Sequence, residues 1–247
     1  MNFFSLFKRN IIFKLKKKIF IDEENHENKT LDELFNYYGS DKANIFSKSS
    51  RAGHGFSDFY TKHLNKFIKK KINILEIGSY AGSSAAAFVK YIPDSKVYCF
   101  DINISNFEYS SDKIQVFGLD INNKNKVEKK IKQIFEKNKF ENFDLIIDDG
   151  SHYLSDILFS LNFFFKYLKK NSLFVIEDFK HPDYYEYNRN VEHISVSEVL
   201  DNLENKIFFP SRIIEQKNQT VLMSSINHIY RYKGNLKDSD ICFIEKL

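Results

Sequence analysis

Ile72-Asn-Ile-Leu-Glu-Ile-Gly78-Ser-Tyr-Ala-Gly82 decides the fold class. An apolar run that stops at a glycine is the pattern of a strand buried on both faces, as in a parallel sheet. Residues 83–91 follow with helical spacing and are closed by Pro93. Strand, glycine turn and helix in that order make the opening half of a right-handed βαβ crossover.

The same alternation continues downstream. Residues 97–100 form a second expected strand that ends at Asp101, and residues 114–117 a third that ends near Asp120. After a charged helix over 123–137 come a fourth strand (143–147), a Phe-rich helix (154–168) and a fifth strand (173–176). Residues 195–203 form another helix. Residues 228–232 and 241–244 read as two last strands around a polar turn at 234–238. This pattern predicts an α/β fold: a Rossmann-like, doubly wound, mostly parallel seven-stranded sheet with a C-terminal antiparallel hairpin.

Upstream, Thr30 and Glu33 form a capping-box pattern for a helix that Gly39 stops near Tyr38. Residues 39–56 read as a loop and 57–70 as a second helix. The expected organisation is residues 1–30 as a basic amphipathic segment and linker, 31–70 as N-terminal helices with a loop, and 71–247 as the core. Residues 181–227 are the irregular part of that core.

With 43% apolar residues in 247, the chain can bury a sizeable core, and 26 Phe and 14 Tyr with no Trp make that core aromatic. A net charge of +4 is too small to mark a nucleic-acid surface, so no nucleic-acid partner is expected. Cys99 and Cys242 are too few and too far apart for a disulfide framework, which favours a reducing cytoplasm. No apolar run approaches the roughly 18–20 residues of a membrane span.

Residues 1–20 stand apart. They hold Lys8, Arg9, Lys14, Lys16, Lys17, Lys18 and no acid, with Phe4, Phe7, Ile11 and Leu15 at helical spacing. Charges interrupt every apolar run, unlike a cleavable signal peptide. Two readings stand: a basic amphipathic helix resting on an anionic membrane, at its inner face, or on a partner, and a helix packed on its own domain or a frayed end.

In open α/β sheets, ligands bind at the carboxyl ends of the strands. Here that position holds Glu76, Gly78, Ser79, Tyr80, Gly82 and Ser83, with Asp101 after the second strand and Asp120 after the third. Glycine permits a tight turn, the next helix directs free amides at a ligand, and Asp101 can accept two ribose hydroxyls. A dinucleotide fingerprint needs glycine where this chain has Tyr80. S-adenosylmethionine, which carries no phosphate, is the better candidate.

The fourth and fifth strands run into Asp148-Asp149-Gly-Ser-His152 and Glu177-Asp178. Such acids at adjacent strand ends repel unless something neutralises them. Oxygen ligands favour Mg²⁺, or Mn²⁺, with Asp149, Glu177 and Asp178 as the metal-binding set. His152 is the expected general base, because its reference pKa of about 6.5 suits proton uptake near neutrality. Asp148 is assigned a structural role at the edge of the cofactor pocket. The competing structural readings are a helix-start role for His152 and a solvated loop pair for Glu177 and Asp178.

These residues resemble the metal-dependent sugar O-methyltransferases of macrolide biosynthesis, and are similar to cephalosporin-hydroxylase-like proteins and to methyltransferases of surface-polysaccharide clusters. Gly39-Ser40-Asp41-Lys42, His54 and Tyr60 are similar to the segment that precedes the core there and helps cover the cofactor. The resemblance implies S-adenosylmethionine at Glu76, Gly78, Asp101 and Asp120, Mg²⁺ at Asp149, Glu177 and Asp178, and His152 as base. It implies a class I O-methyltransferase acting on a sugar hydroxyl, in a small molecule or a glycan. The alternatives are a phosphorylated or amide-bearing acceptor, an NAD-dependent dehydrogenase, and a non-catalytic scaffold. Residues 181–227 are the candidate roof of the acceptor site, and a homo-oligomer stays open.

Overall fold

The computed structural model describes residues 3–46, 51–191 and 193–247. Residues 1 and 2 of the basic segment, 47–50 of the expected loop and 192 of the irregular segment lie outside the described residues. The chain divides into two compact units, residues 1–140 and 141–247.

The first unit contains α1 (Phe3–Leu15), α2 (Leu31–Tyr38), α3 (Ser57–Leu64), β1 (Ile72–Ile77), α4 (Ser83–Tyr91), β2 (Ser95–Asp101), β3 (Ile114–Gly118) and α5 (Lys124–Asn138). β1 runs parallel to β2, with Ile77 opposite Phe100, and β2 parallel to β3, with Asp101 opposite Gly118. Ala85, Ala86 and Ala87 of α4 are all fully buried, and because consecutive helical residues point in different directions the helix is covered on more than one side. Phe88 of the same helix meets Phe35 edge-on at 5.4 Å and Tyr60 at 5.4 Å. Edge-to-face pairs of this kind fill a core that has no Trp.

The second unit contains β4 (Phe143–Asp148), α6 (Leu154–Phe164), β5 (Leu168–Ile176), α7 (Val196–Glu204), α8 (Gln216–Ser225), β6 (Ile226–Lys233) and β7 (Asp240–Lys246). β4 and β5 are parallel, with Asp148 opposite Ile176. β7 is antiparallel to both β5 and β6. The seven-stranded, mostly parallel sheet with its closing antiparallel hairpin is the one the alternating pattern predicts, and its strand order is β6-β7-β5-β4-β1-β2-β3. Among the described residues no helix is long and apolar enough to cross a membrane.

Several boundaries differ from expectation. The Phe-rich helix stops at Phe164, and a short 3-10 turn leads into a strand that begins at Leu168. Phe163, Phe164 and Phe165 are all buried, so apolar periodicity carries no stop signal there. Exposed Lys169, Lys170 and Asn171 disguise the start of the strand. α8 has no clear apolar stripe because Gln219, 2% exposed, serves as its inward residue. The Gln219 amide donates to the Phe209 and Ile214 carbonyls, both at 2.8 Å, and accepts from the Phe209 N–H.

The polar stretch 21–30 is held along the first unit. Ile21 is fully buried, Asp22 accepts from Ser111 and from the Asp112 N–H, and Glu24 accepts from the Tyr38 hydroxyl at 2.6 Å. The capping box at Thr30 and Glu33 is present, with Gly39 left-handed at the helix end.

Gly39 and Gly82 require glycine for different reasons. Gly39 needs only its φ of +74°, whereas a Cβ on Gly82 (φ +79°) would also meet the Phe107 ring at 2.3 Å. Gly82→Ala is therefore expected to lose roughly 2–3 kcal/mol in urea unfolding, and Gly39→Ala about 1 kcal/mol, from backbone strain without a clash. Equal losses at both sites would show that Phe107 moves aside at no cost.

Candidate active site

Around the turn after β1, Gly78, Tyr80 and Gly82 all adopt left-handed backbone, with φ of +85°, +40° and +79°. Tyr80 is strained there, since a side chain disfavours that region. Its N–H donates to Asp101 Oδ2 at 2.8 Å, so the acid at the end of β2 holds the turn in place. The Asp101 Oδ1 atom accepts from the Asn103 N–H at 2.5 Å. The Gly78 N–H donates to the Phe100 carbonyl at 2.8 Å and the Gly82 N–H to the Ser79 carbonyl at 2.7 Å.

Seven of the expected cofactor residues thus gather at one turn. Ser79 and Ser83 are buried, Ser83 beside the Tyr109 hydroxyl, and the Tyr80 side chain is 67% exposed. Glu76 is fully buried and accepts from the Ser84 hydroxyl, with the Cys99 thiol 3.9 Å from its other oxygen. Burial, and then the Glu76 charge, pushes the Cys99 thiol well above its usual range. Asp120 lies beyond β3, where the Leu119 N–H donates to the Asp101 carbonyl at 3.0 Å and the Asn122 N–H to Asp120 Oδ1 at 3.1 Å.

Residues 40–46 and 51–56, which precede α3, fold closely on one another. Ser40 and Lys42 are buried at 5% and 2% exposure, and a Cβ on Gly53 would lie 2.0 Å from the Ala43 carbonyl. The His54 N–H donates to the Asp41 carbonyl at 2.7 Å.

In the second unit, the Glu177 N–H donates to the Asp148 carbonyl at 2.9 Å, tying the ends of β4 and β5 together. Asp149, His152 and Asp178 converge there, each offering a ligand atom within 4.8 Å of the others. His152 Nε2 lies 3.8 Å from Asp149 Oδ1. His152 and Asp178 are both left-handed, with φ of +57° and +50°. Strain at two neighbouring polar residues is concentrated where a site would use it. Glu177 stands outside that group of three. At 2% and 6% exposure, Glu177 and Asp178 are not a solvated loop pair.

Asp148 is 4% exposed, and its Oδ2 finds no hydrogen-bond partner among the described residues. Burial pushes its carboxyl up to about 7; Ser160 and the Gly150 N–H oppose this, and Asp149 and Asp156 add to it.

A second histidine lies beside the cluster. The His181 ring lies 5.4 Å from the His152 ring and is hydrogen-bonded through Nδ1 to Asn188, while the His181 backbone N–H donates to the Asp178 carbonyl at 2.8 Å. Tyr185 packs on His181 at 4.4 Å and Tyr187 on Tyr185 at 5.7 Å, forming an aromatic shelf. Sequence reasoning missed His181, yet the signal was present: Asp149 and His152 are three apart, as are Asp178 and His181.

Buried Asp240 anchors this segment from the hairpin. It receives Lys233 at 2.7 Å, the Tyr184 hydroxyl at 2.8 Å and Lys180 at 3.6 Å, and its carbonyl accepts from the Phe179 N–H.

The fold is that of class I, S-adenosylmethionine-dependent methyltransferases. Residues 75–179 match the family model of a methyltransferase domain. The mycinamicin VI 2''-O-methyltransferase of Micromonospora griseorubida is 25% identical over 132 residues, which are 51% of this chain and 31% of the relative. Solved structures of MycE, a methyltransferase of the mycinamycin biosynthetic pathway, superpose over most of the chain. The complex with Mg, S-adenosylhomocysteine (SAH) and mycinamycin VI gives a TM-score of 0.68 at 20% identity, covering 89% of this chain and 55% of MycE. A complex with Mg and SAH gives 0.66 at 20% identity, covering 88% and 55%. The chain therefore spans about half the length of that enzyme, and the match at this identity shows the fold.

The Asp148 carboxyl sets a pH dependence. Its folded value of about 7 exceeds the unfolded value of about 3.9, so between them the folded state keeps a proton the unfolded state has released. Stability with a chelator present is expected to fall as pH rises from about 4 to about 7, by up to about 4 kcal/mol, and then to level off. Asp148→Asn should flatten that slope in urea titrations; a variant that keeps the full slope would assign it to another group.

Proposed function

We propose that the protein is an S-adenosylmethionine-dependent and Mg²⁺- or Mn²⁺-dependent O-methyltransferase acting on a hydroxyl of a sugar or sugar-containing metabolite. A surface polysaccharide or related glycan is the context. The observation that carries this reading is the convergence of Asp149, His152 and Asp178 after β4 and β5. Carboxylate oxygens within 4.8 Å of one another fit a hard divalent cation. Asp149 and Asp178 would hold it, and buried Glu177 would add its charge beside them. Such an ion, when bound, makes a coordinated hydroxyl easier to deprotonate.

His152 takes the hydroxyl proton, and Asp149, 3.8 Å from its Nε2, favours the protonated ring that results. The Tyr80-to-Gly82 turn and Asp101 orient the methyl donor, Asp101 through the ribose hydroxyls. S-adenosylmethionine supplies a methyl group already activated by the sulfonium, so the C–S bond breaks as the C–O bond forms. The shelf of His181, Tyr185 and Tyr187 offers flat apolar faces with polar edges, which suits the C–H face of a pyranose. The mycinamicin relative is a 2''-O-methyltransferase, which supports a hydroxyl as acceptor.

Calorimetric titration with SAH, with and without Mg²⁺ and with NAD as control, is expected to show binding of SAH alone. Binding of NAD, or of neither ligand, would overturn the reading. In His152→Ala, turnover is expected to fall by about 100-fold or more while SAH affinity stays within about twofold, because the base acts on the acceptor. A large loss of SAH affinity in that variant would remove His152 from the role of base.

A further inference from the structure

The apolar stripe of α1 faces away from the domain. Leu6, Asn10 and Phe13 form the inward face: Asn10 sits against Gly118, and Phe13 meets Phe107 edge-on at 6.2 Å. On the opposite side Phe4 is 76% exposed, Phe7 56%, Ile11 42% and Leu15 80%. These four lie at helical spacing on one stripe. Just beyond the helix, Ile19 and Phe20 are about half exposed as well, at 52% and 50%. A contiguous apolar surface of this kind on a folded domain marks an interaction site.

The cations divide in the same way. Arg9 donates to the Ile102 carbonyl at 3.1 Å, Lys16 to the Asn106 carbonyl at 2.9 Å, and Lys18 lies over the Phe13 ring. Arg9 and Lys16 hold the helix to the domain, and Lys18 folds back on the helix itself. Lys8, Lys14 and Lys17 are exposed, and Lys8 and Lys14 flank the stripe within α1. A groove of about 430 Å³ between α1 and α5 adds Lys126, Lys129 and Lys130 near the inward edge of the helix.

We propose that α1 docks in the plane of an anionic lipid surface, with Phe4, Phe7, Ile11 and Leu15 entering the acyl boundary and the exposed lysines meeting headgroups. Charge complementarity selects this occupant. Residues 1–20 carry six cations and no acid, so a second copy of the same face would be repelled, whereas acidic headgroups are attracted. Apolar area and basic charge acting together are what interfacial binding needs. Thirteen residues at 1.5 Å rise are too short to span a bilayer, so the helix lies on it.

The test is co-sedimentation of the full chain with vesicles of phosphatidylcholine alone and of phosphatidylcholine mixed with phosphatidylglycerol. Binding to the mixed vesicles is expected to be roughly tenfold or more tighter, and to weaken as salt is raised. Phe7→Asp with Leu15→Asp should remove it, with circular dichroism and Tm unchanged because both side chains are exposed. Lys8→Gln with Lys14→Gln should reduce binding to the mixed vesicles only. Equal binding to both vesicle types, or an aspartate variant that binds like the original chain, would overturn the proposal. An aspartate variant that turns an oligomer into a monomer and leaves vesicle binding intact would overturn it too, and assign the face to a second copy.

Discussion

Burial of acidic groups where two parallel strands end is the constraint around which the second unit is built. Asp148, Glu177 and Asp178 are each at most 6% exposed, and Asp149 stands directly beside them. Taking carboxylates out of water is costly unless a proton, a donor or a cation compensates. The Asp148 carboxyl is pushed up to about 7, Asp149 lies near His152, and Asp178 shares a cluster with both. The register that places Asp148 opposite Ile176 makes this concentration of charge unavoidable, because each strand continues directly into its acids. Left-handed backbone at His152 and Asp178 is the local strain that aims the side chains inward.

The hairpin serves this arrangement from outside. Asp240 opens β7 and binds Lys180, Lys233 and the Tyr184 hydroxyl, fixing the chain that leaves Asp178. The one-turn helix His181–Tyr184 follows, with Pro182 in its first turn, where a missing N–H does no harm. The closing hairpin is thus part of the site's support as well as the edge of a sheet.

In the first unit the equivalent role falls to Asp101. Its carboxylate is bound by the Tyr80 and Asn103 amides, so it shapes the glycine turn before any ligand is considered. Glu76 lies deeper than expected of a pocket-lining residue: fully buried, it is paired with Ser84 of α4 and holds strand and helix together. Asp101 is half-buried at the turn and Glu76 fully buried beneath it, a difference in burial that the motif does not reveal.

The sequence by itself determined the alternation of strands and helices, the glycine turn, the two acidic strand ends and the capping box at Thr30. Each is a local pattern in which residue type dictates backbone preference or burial within a few positions. Only the tertiary structure decided that His181 joins His152, that Glu177 stands apart from the Asp149–His152–Asp178 group, and that the polar stretch after residue 20 is bound to the domain. It also decided which face of α1 turns inward: the helical period shows that Phe4, Phe7, Ile11 and Leu15 share a stripe, but not whether that stripe meets protein or solvent. Such outcomes depend on contacts between segments distant in sequence, and spacing along the chain does not encode them.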